Sequence, residues 1–185
     1  PPAPEDAYGV TKLEAEDELR SIGATTGLEV VVIRPCLVYG PGVRGNLARL
    51  LGVIQRGVPL PLASVRNRRS MMGLANLCDL LVRCVTHPRA AGETFLASDG
   101  ADLSTPQLIR WLAEGVGRPA RLLPVPPRWL ELAARVGGAT AAYERLCGSL
   151  QVDSSKAREH LDWRPPVAVE DGLRETGAWH RQHSR

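Results

Sequence analysis

The chain has 185 residues and a mass of 20.0 kDa, enough for one domain with a substantial hydrophobic core. Its 44% hydrophobic content is typical of a globular protein and excludes disorder. The 23 basic and 20 acidic residues leave a net charge of only +3, which gives no argument for a nucleic-acid or membrane partner. No apolar run reaches the roughly 20 residues of a membrane span, and the N-terminus lacks a secretory-signal pattern, so we expect a cytoplasmic protein.

The first predicted elements are a helix and a buried strand. Apolar residues recur at helical spacing over residues 10–22, where the acidic side chains of 14–18 form the solvated face. The β-branched run at 29–33 is typical of a strand that is buried on both faces. A helix followed by such a strand predicts an α/β fold with a doubly wound parallel sheet.

The middle of the chain alternates loops, helices and one further strand. Prolines and glycines in residues 34–42 predict an irregular, shaped loop, and such loops often carry function. Helical patterns follow at 47–56 and at 76–86, where Asn76 is the predicted N-cap, and residues 94–97 form a short strand. Ser104 then caps a helix with Pro106 in its first turn.

The last third of the chain predicts a smaller, mostly helical lobe. Its helices are interrupted by the proline-rich residues 124–127 and by the glycine pair at 137–138. Two final helices are predicted at 154–161, capped by Asp153, and at 169–179. We therefore divide the chain into residues 1–97 and 98–185, and we expect all four tryptophans to be packing residues.

The cysteines and histidines predict no metal site. The four cysteines form no Cys-x-x-Cys pair, and the four histidines have no ligand spacing with them. The chain begins with two prolines and has methionine only at positions 71 and 72, so we expect it to be part of a longer protein.

The most informative motif is Tyr8-x-x-x-Lys12 at the start of the first helix. A spacing of four residues places both side chains on one helical face, so an ammonium group lies beside a phenol. A phenol has a free pKa of about 10, and a nearby cation favours the phenolate, which suits proton transfer near neutral pH.

Four segments in chain order resemble the extended short-chain dehydrogenases/reductases, the NAD-dependent nucleotide-sugar epimerase/dehydratase family. They are Tyr8-x-x-x-Lys12, the strand and loop at 31–42, the arginine-strand-helix segment at 69–79, and a C-terminal signature in 153–174. The resemblance covers nearly the whole chain, which is similar to the C-terminal part of this family from just before the Tyr-Lys pair. The family's glycine-rich turn, ribose-reading acid and catalytic Ser/Thr would then precede Pro1.

The resemblance implies that residues 1–97 are the C-terminal part of a Rossmann domain with interleaved substrate segments, and that 98–185 are the substrate-binding lobe. It implies NAD or NADP as cofactor, a nucleotide-diphosphate sugar as substrate, and a homodimer as the assembly. Tyr8 would be the general acid/base and Lys12 would hold the nicotinamide ribose. The remaining implied residues contact the cofactor (Pro35, Leu37, Val38) or the substrate (Asn46, Leu47, Arg69, Arg145).

The implied reaction is 4-epimerisation of a nucleotide sugar or reduction of a 4-keto-6-deoxy sugar. Many epimerases of the family have asparagine where this chain has Leu37, and the loop at 35–42 together with 67–70 is closer to the reductases. The alternative is a regulatory or scaffolding protein of the same fold that binds a nucleotide without turnover. The intact Tyr8-Lys12 pair favours the enzyme.

A second glycine motif has a simpler interpretation. Residues 40–45 match G-x-G-x-x-G, but a dinucleotide-binding turn passes directly from strand to helix and has an acid about 20 residues later. Residues 60–66 contain no acid, so we interpret these glycines as shaping the loop.

Overall fold

A computed structural model describes residues 6–184 of the chain, which form four short strands and eight helices. The elements in chain order are α1 (Ala7–Thr26), β1 (Val32–Pro35), β2 (Leu37–Tyr39), α2 (Gly45–Gln55), β3 (Met71–Gly73), α3 (Leu74–Thr86), β4 (Thr94–Ala97), α4 (Thr105–Val116), α5 (Pro127–Val136), α6 (Thr140–Cys147), α7 (Ser155–Leu161) and α8 (Val169–His183).

The strands form two parallel pairs. β1 pairs with β4, with Val32 opposite Thr94 and Pro35 opposite Ala97. β2 pairs with β3, with Leu37 opposite Met71. Parallel partners require long crossover connections, and here those connections contain helices, so the predicted α/β class with parallel strands is confirmed.

The strand predicted at 29–33 is displaced, because β1 begins at Val32, where its partner β4 begins. The backbone N–H groups of Val32 and Cys36 donate to the β4 side, to Glu93 O and Ala97 O. Alternate residues of a strand face opposite sides, so the missing N–H of Pro35 is on the side away from β4. The prediction of an irregular loop over 34–42 was wrong for Arg34 and Pro35, which belong to β1, and for Leu37–Tyr39, which pair with β3.

Two hydrophobic clusters form the core. The first lies among α2, α4 and α8 and contains Leu51, Met71 and Leu112. The second lies around β4, α3 and α7 and contains Met72 and Trp163. Successive side chains of a strand point to opposite faces, so Met71 and Met72 place the two clusters on opposite sides of β3. Both clusters contain residues from either side of position 97, and the predicted domain boundary there stays a prediction.

The helix caps partly follow the predictions. Ser104 forms the predicted capping box with Gln107, which confirms the start of α4. The cap predicted at Asn76 was wrong, because Gly73 precedes α3 and Asn76 lies buried inside it. Ser154 is the N-cap of α7, although the Asp153 carboxylate accepts a bond from Ser155 N–H at 2.9 Å.

The tryptophans also differ from one another. Trp163 is buried and donates its indole N–H to Asp79 Oδ2 at 2.7 Å. Trp129 is 57% exposed, so its prediction as a packing residue was wrong.

Within residues 6–184, every helix is too short or too polar to cross a membrane.

Candidate functional site

The Tyr-Lys pair lies in the first turns of α1. Asp6 caps this helix, and its Oδ1 accepts a hydrogen bond from Gly9 N–H at 2.7 Å. Lys12 Nζ lies 5.4 Å from the centroid of the Tyr8 ring, and the Tyr8 side chain is 71% exposed. The structure therefore places the two predicted catalytic residues side by side on an accessible helical face.

Polar contacts fix the direction of α1 relative to the strands. Arg34 on β1 donates two bonds to the Glu16 carboxylate, from Nε at 2.8 Å and from Nη2 at 2.5 Å. Arg20, one turn further along α1, donates to Thr94 Oγ1 at 2.8 Å. Because Thr94 is opposite Val32, α1 runs antiparallel to β1. Its Tyr8 end consequently extends toward the carboxyl ends of β1 and β4, the edge where α/β sheets bind ligands.

The Glu16–Arg34 pair corrects the interpretation of residues 14–18 as a solvated face. Glu16 keeps only 16% of its side chain exposed. The hydrogen bonds from Arg34 lower the pKa of the Glu16 carboxyl, because they favour the charged form and outweigh the opposite effect of burial.

The predicted cofactor residues Pro35, Leu37 and Val38 follow at the end of β1 and in β2. Pro35 and Leu37 are exposed, and Val38 is half-buried. Cys36 between them is packed inward, where burial and the negative charge of Asp99 raise its thiol pKa to about 12. The thiol is thus neutral, and the two exposed side chains present an apolar surface at the carboxyl edge of the sheet.

A buried polar network lies behind this surface and was not predicted from the sequence. Tyr39 donates from its hydroxyl to Asp99 Oδ2 at 2.7 Å, and Asn76 Nδ2 donates to Asp99 Oδ1 at 2.7 Å. Gly73 N–H adds a third donor to this carboxylate, while Asn76 also accepts from Val167 N–H at 2.9 Å. Burial, followed by the bond to Asp99, raises the pKa of Tyr39 far above its usual range, so its hydroxyl stays a donor.

A cavity of about 200 Å³ adjoins the network, and its lining includes Tyr39, Pro41, Asn76 and Glu175. One feature of the sequence could have indicated this network, namely that Asp99 follows the carboxyl end of β4 by two residues. A polar residue at that end of a parallel strand lies at the functional edge of the sheet.

Arg69, a predicted substrate-binding residue, contacts a second group of residues. The Arg69 guanidinium donates from Nη1 to the backbone carbonyls of Arg145 and Gly148, at the end of α6. Burial lowers its pKa from the ordinary value. The Arg145 side chain is exposed on the last turn of α6, so the structure brings Arg69 and Arg145 into one region.

Asn67 holds this second group together and was also missed. Its amide donates to Thr105 Oγ1 at 3.0 Å and to Gly148 O at 2.9 Å, and its Oδ1 accepts from Thr105 N–H at 2.8 Å. Composition and spacing carry no signal for such a residue, because its partners lie 38 and 81 positions away.

Asn46 and Leu47 lie at the start of α2, after the N-cap Arg44. Asn46 is exposed, whereas the Leu47 side chain is buried in the first cluster. Leu47 therefore presents only its backbone N–H, and the first N–H groups of a helix are able to bind anions. Over residues 6–184, no hydrogen bond or ion pair joins the Tyr8-Lys12 pair to Arg69 or Arg145.

Residues 1–97 match the model of a protein family described as the NAD dependent epimerase/dehydratase family. The chain belongs to this family. It is 44% identical over 175 residues to the UDP-glucose 4-epimerase of Vibrio cholerae, an alignment that covers 94% of this chain and 53% of the relative. It is 25% identical over 183 residues to the GDP-6-deoxy-D-mannose reductase of Pseudomonas aeruginosa, covering 94% and 55%.

The fold agrees with this membership. The structure of UDP-glucuronic acid 4-epimerase from Bacillus cereus in complex with NAD superposes with a TM-score of 0.74 at 22% identity, covering 98% of this chain and 52% of that one. This likeness shows the Rossmann-type α/β fold that the resemblance implied. The chain spans about half the length of the curated relatives that it matches.

Proposed function

We propose that this chain carries the acid/base residues and part of the substrate site of an NAD- or NADP-dependent enzyme that epimerises or reduces a nucleotide-diphosphate sugar at C4. The observation that carries the proposal is the Tyr8-Lys12 pair, accessible on a helix that Glu16 and Arg34 align toward the carboxyl edge of β1 and β4. Relatives named as a UDP-glucose 4-epimerase and a GDP-6-deoxy-D-mannose reductase support this class of reaction.

The accessible surface at this edge is chemically suited to a nicotinamide cofactor. Pro35 and Leu37 offer exposed apolar contact to an aromatic ring, and Lys12 offers a cation to ribose hydroxyls and donates hydrogen bonds. When bound, the nicotinamide supplies the hydride acceptor or donor for the sugar carbon.

Tyr8 moves the proton in this proposal. Its phenolic oxygen takes the proton of the sugar hydroxyl as that carbon is oxidised, or returns a proton to the ketone oxygen as the carbon is reduced. The Lys12 ammonium, 5.4 Å from the Tyr8 ring centroid, attracts the negative charge that develops on the phenol.

Arg69 and Arg145 serve the diphosphate in this proposal, together with the α2 N-terminus at Asn46 and Leu47. The guanidinium of Arg69 is held by the carbonyls of α6, which fixes its plane, and the Arg145 side chain is free to reach solvent from the same turn. A planar, oriented guanidinium suits bidentate contact with phosphate oxygens. Homodimer formation remains a prediction.

The decisive experiment compares Tyr8→Phe with Thr11→Ala in the natural protein. Among the described residues, the Thr11 hydroxyl bonds only to Ala7 O of its own helix, so its removal is a matched control for loss of a hydroxyl in this turn. Turnover of UDP-glucose with NAD, and of a GDP-linked 4-keto-6-deoxy sugar with NADPH, is measured. We expect Tyr8→Phe to lose about 100-fold or more in turnover while dinucleotide affinity is kept, and Thr11→Ala to stay near wild type.

Near-wild-type turnover by Tyr8→Phe would contradict the proposal. If wild type and Tyr8→Phe bind these nucleotides with equal affinity and neither form turns over a substrate, the result would instead favour a non-catalytic nucleotide-binding protein of the same fold. Lys12→Met separates the two roles of the pair, because it weakens dinucleotide binding as well as turnover if Lys12 holds the ribose.

A further inference from the structure

Helix α5 carries an apolar stripe on its outer face. Trp129, Leu132 and Val136 are 57%, 53% and 83% exposed, and their spacing places them on one side of the helix. Leu130, on the opposite side, packs against the first cluster. The helix is therefore attached to the protein through one apolar side while it presents a second apolar side outward.

Basic residues border this stripe. A groove on α5 is lined by Arg128, Trp129, Glu131, Leu132 and Arg135, which places the indole and the leucine beside two guanidinium groups. Arg135 is paired with Glu131 at 2.6 Å, whereas no ion pair to Arg128 occurs among the described residues. The outer face of α5 thus combines apolar and cationic groups.

The surrounding segment contains the entire net charge of the chain. Residues 118–145 hold five arginines and two glutamates, a net charge of +3, and the whole chain also has a net charge of +3. The low average charge gave no argument for an anionic partner, but that average concealed a local excess. Its members are Arg118, Arg121, Arg128, Arg135 and Arg145 against Glu131 and Glu144.

We propose that the outer face of α5 is a peripheral contact with an anionic lipid membrane. A tryptophan and aliphatic side chains beside arginines are the composition of helices that lie in the plane of a membrane interface. The helix has 10 residues, a length of about 15 Å, which suits contact along the surface. Charge complementarity selects anionic lipid, because each basic residue near such a surface adds attraction.

Helix α3 also carries an exposed apolar stripe, but that stripe differs from the one on α5 in the charge around it. Leu81, Val82 and Val85 are 46%, 65% and 87% exposed on that helix. Arg83 is the single basic residue of α3, and its Nε donates to Leu161 O, so this stripe lacks the two guanidinium groups that line the α5 groove. The α3 stripe is therefore the matched control surface.

The test measures binding of the purified protein to vesicles of phosphatidylcholine with 30% phosphatidylglycerol and to pure phosphatidylcholine vesicles, by co-sedimentation. We expect binding to the anionic vesicles that weakens when salt rises, since screening acts on the charge contribution. Trp129→Ser combined with Val136→Gln is expected to reduce the partition coefficient about tenfold or more. Arg128→Gln is expected to reduce it about fivefold. Val85→Gln on α3 is expected to leave it unchanged.

A second readout locates the contact. Phosphatidylglycerol brominated on its acyl chains quenches the fluorescence of an inserted indole, and Trp129→Phe is expected to remove that quenching. The proposal is overturned if the protein does not bind anionic vesicles at low salt, or if the α5 variants bind like Val85→Gln. It is also overturned if sedimentation velocity without lipid shows self-association that the variant Trp129→Ser with Val136→Gln abolishes, because a second copy would then cover the stripe.

Discussion

At the scale of single residues, the Glu16–Arg34 pair gives a pH-dependent prediction. The hydrogen bonds from Arg34 depress the pKa of Glu16 below its unfolded value of about 4.3, so the pair stabilises the fold above that pH. The contribution is lost as pH falls through the lower folded pKa. We expect Glu16→Gln to lower the free energy of unfolding by about 1 kcal/mol at pH 7.

The measurement is urea denaturation of both proteins between pH 7 and pH 2.5. The difference between wild type and Glu16→Gln should be constant near neutrality and should shrink as the solution becomes acidic. Glu14→Gln, which changes an exposed acid on the same helix, is the control. A difference that grows toward low pH would contradict the assignment.

Residue-level prediction from sequence succeeded where a spacing carries the chemistry. The four-residue spacing of Tyr8 and Lys12 sufficed to place both on one face of α1. Glu16 was misread because its partner Arg34 is 18 positions away. Asn76 and Asp99 are 23 positions apart and interact only after β4 and α3 pack, so no local pattern contains their bond.

At the scale of elements, replacement of glycine by alanine is predicted to have opposite effects on stability at two helical positions, because α4 and α8 approach each other closely at one of them. A methyl group added at Gly177 would lie 2.3 Å from Leu112 O, which is backbone and cannot move aside. A methyl group added at Gly52, inside α2, meets no described atom within 4 Å. We expect Gly177→Ala to lower the free energy of unfolding by about 1–3 kcal/mol or more. We expect Gly52→Ala to raise it by about 0.5–1 kcal/mol, because alanine restricts the unfolded chain.

Thermal and urea denaturation of the two variants check this pair. Each variant serves as the control for the other, because the covalent change is identical and both sites are helical. A neutral Gly177→Ala variant would mean that α4 and α8 do not approach each other through this glycine.

The strand predicted at 94–97 is confirmed as β4, whereas the strand predicted at 29–33 is displaced and β2 was not predicted. The starts of the helices were predicted more consistently, for a physical reason. Helical periodicity and caps such as Ser104 are local signals in the sequence. They predicted the first residues of α2, α4 and α8 to within a few positions. The start of a strand depends on its pairing partner. The first residue of β1, Val32, is the one that pairs with Thr94, which lies some 60 residues later in the chain. β2 has only three residues and lies in a segment bounded by Pro35 and Gly40, so its pairing with β3 decides its conformation.

At the scale of the whole molecule, the two hydrophobic clusters share the β2–β3 pair. Met71 belongs to the first cluster and Met72 to the second. The Asp99 carboxylate joins Tyr39 of the first cluster to Asn76 on α3, which packs in the second. Opening one cluster would leave these buried polar groups without partners, at a cost of about 1–3 kcal/mol each. The clusters should therefore unfold together.

The corresponding experiment introduces Leu112→Ala into the first cluster and follows the second. Leu112 is fully buried, and its truncation is expected to cost about 2–5 kcal/mol. Trp163, buried in the second cluster, is kept as the single tryptophan by replacing Trp111, Trp129 and Trp179 with phenylalanine. We expect its fluorescence transition and the far-UV circular dichroism transition to shift to the same lower midpoint. An unmoved Trp163 transition would show that the clusters unfold independently, because the damage to the first would then not reach the second across β2 and β3.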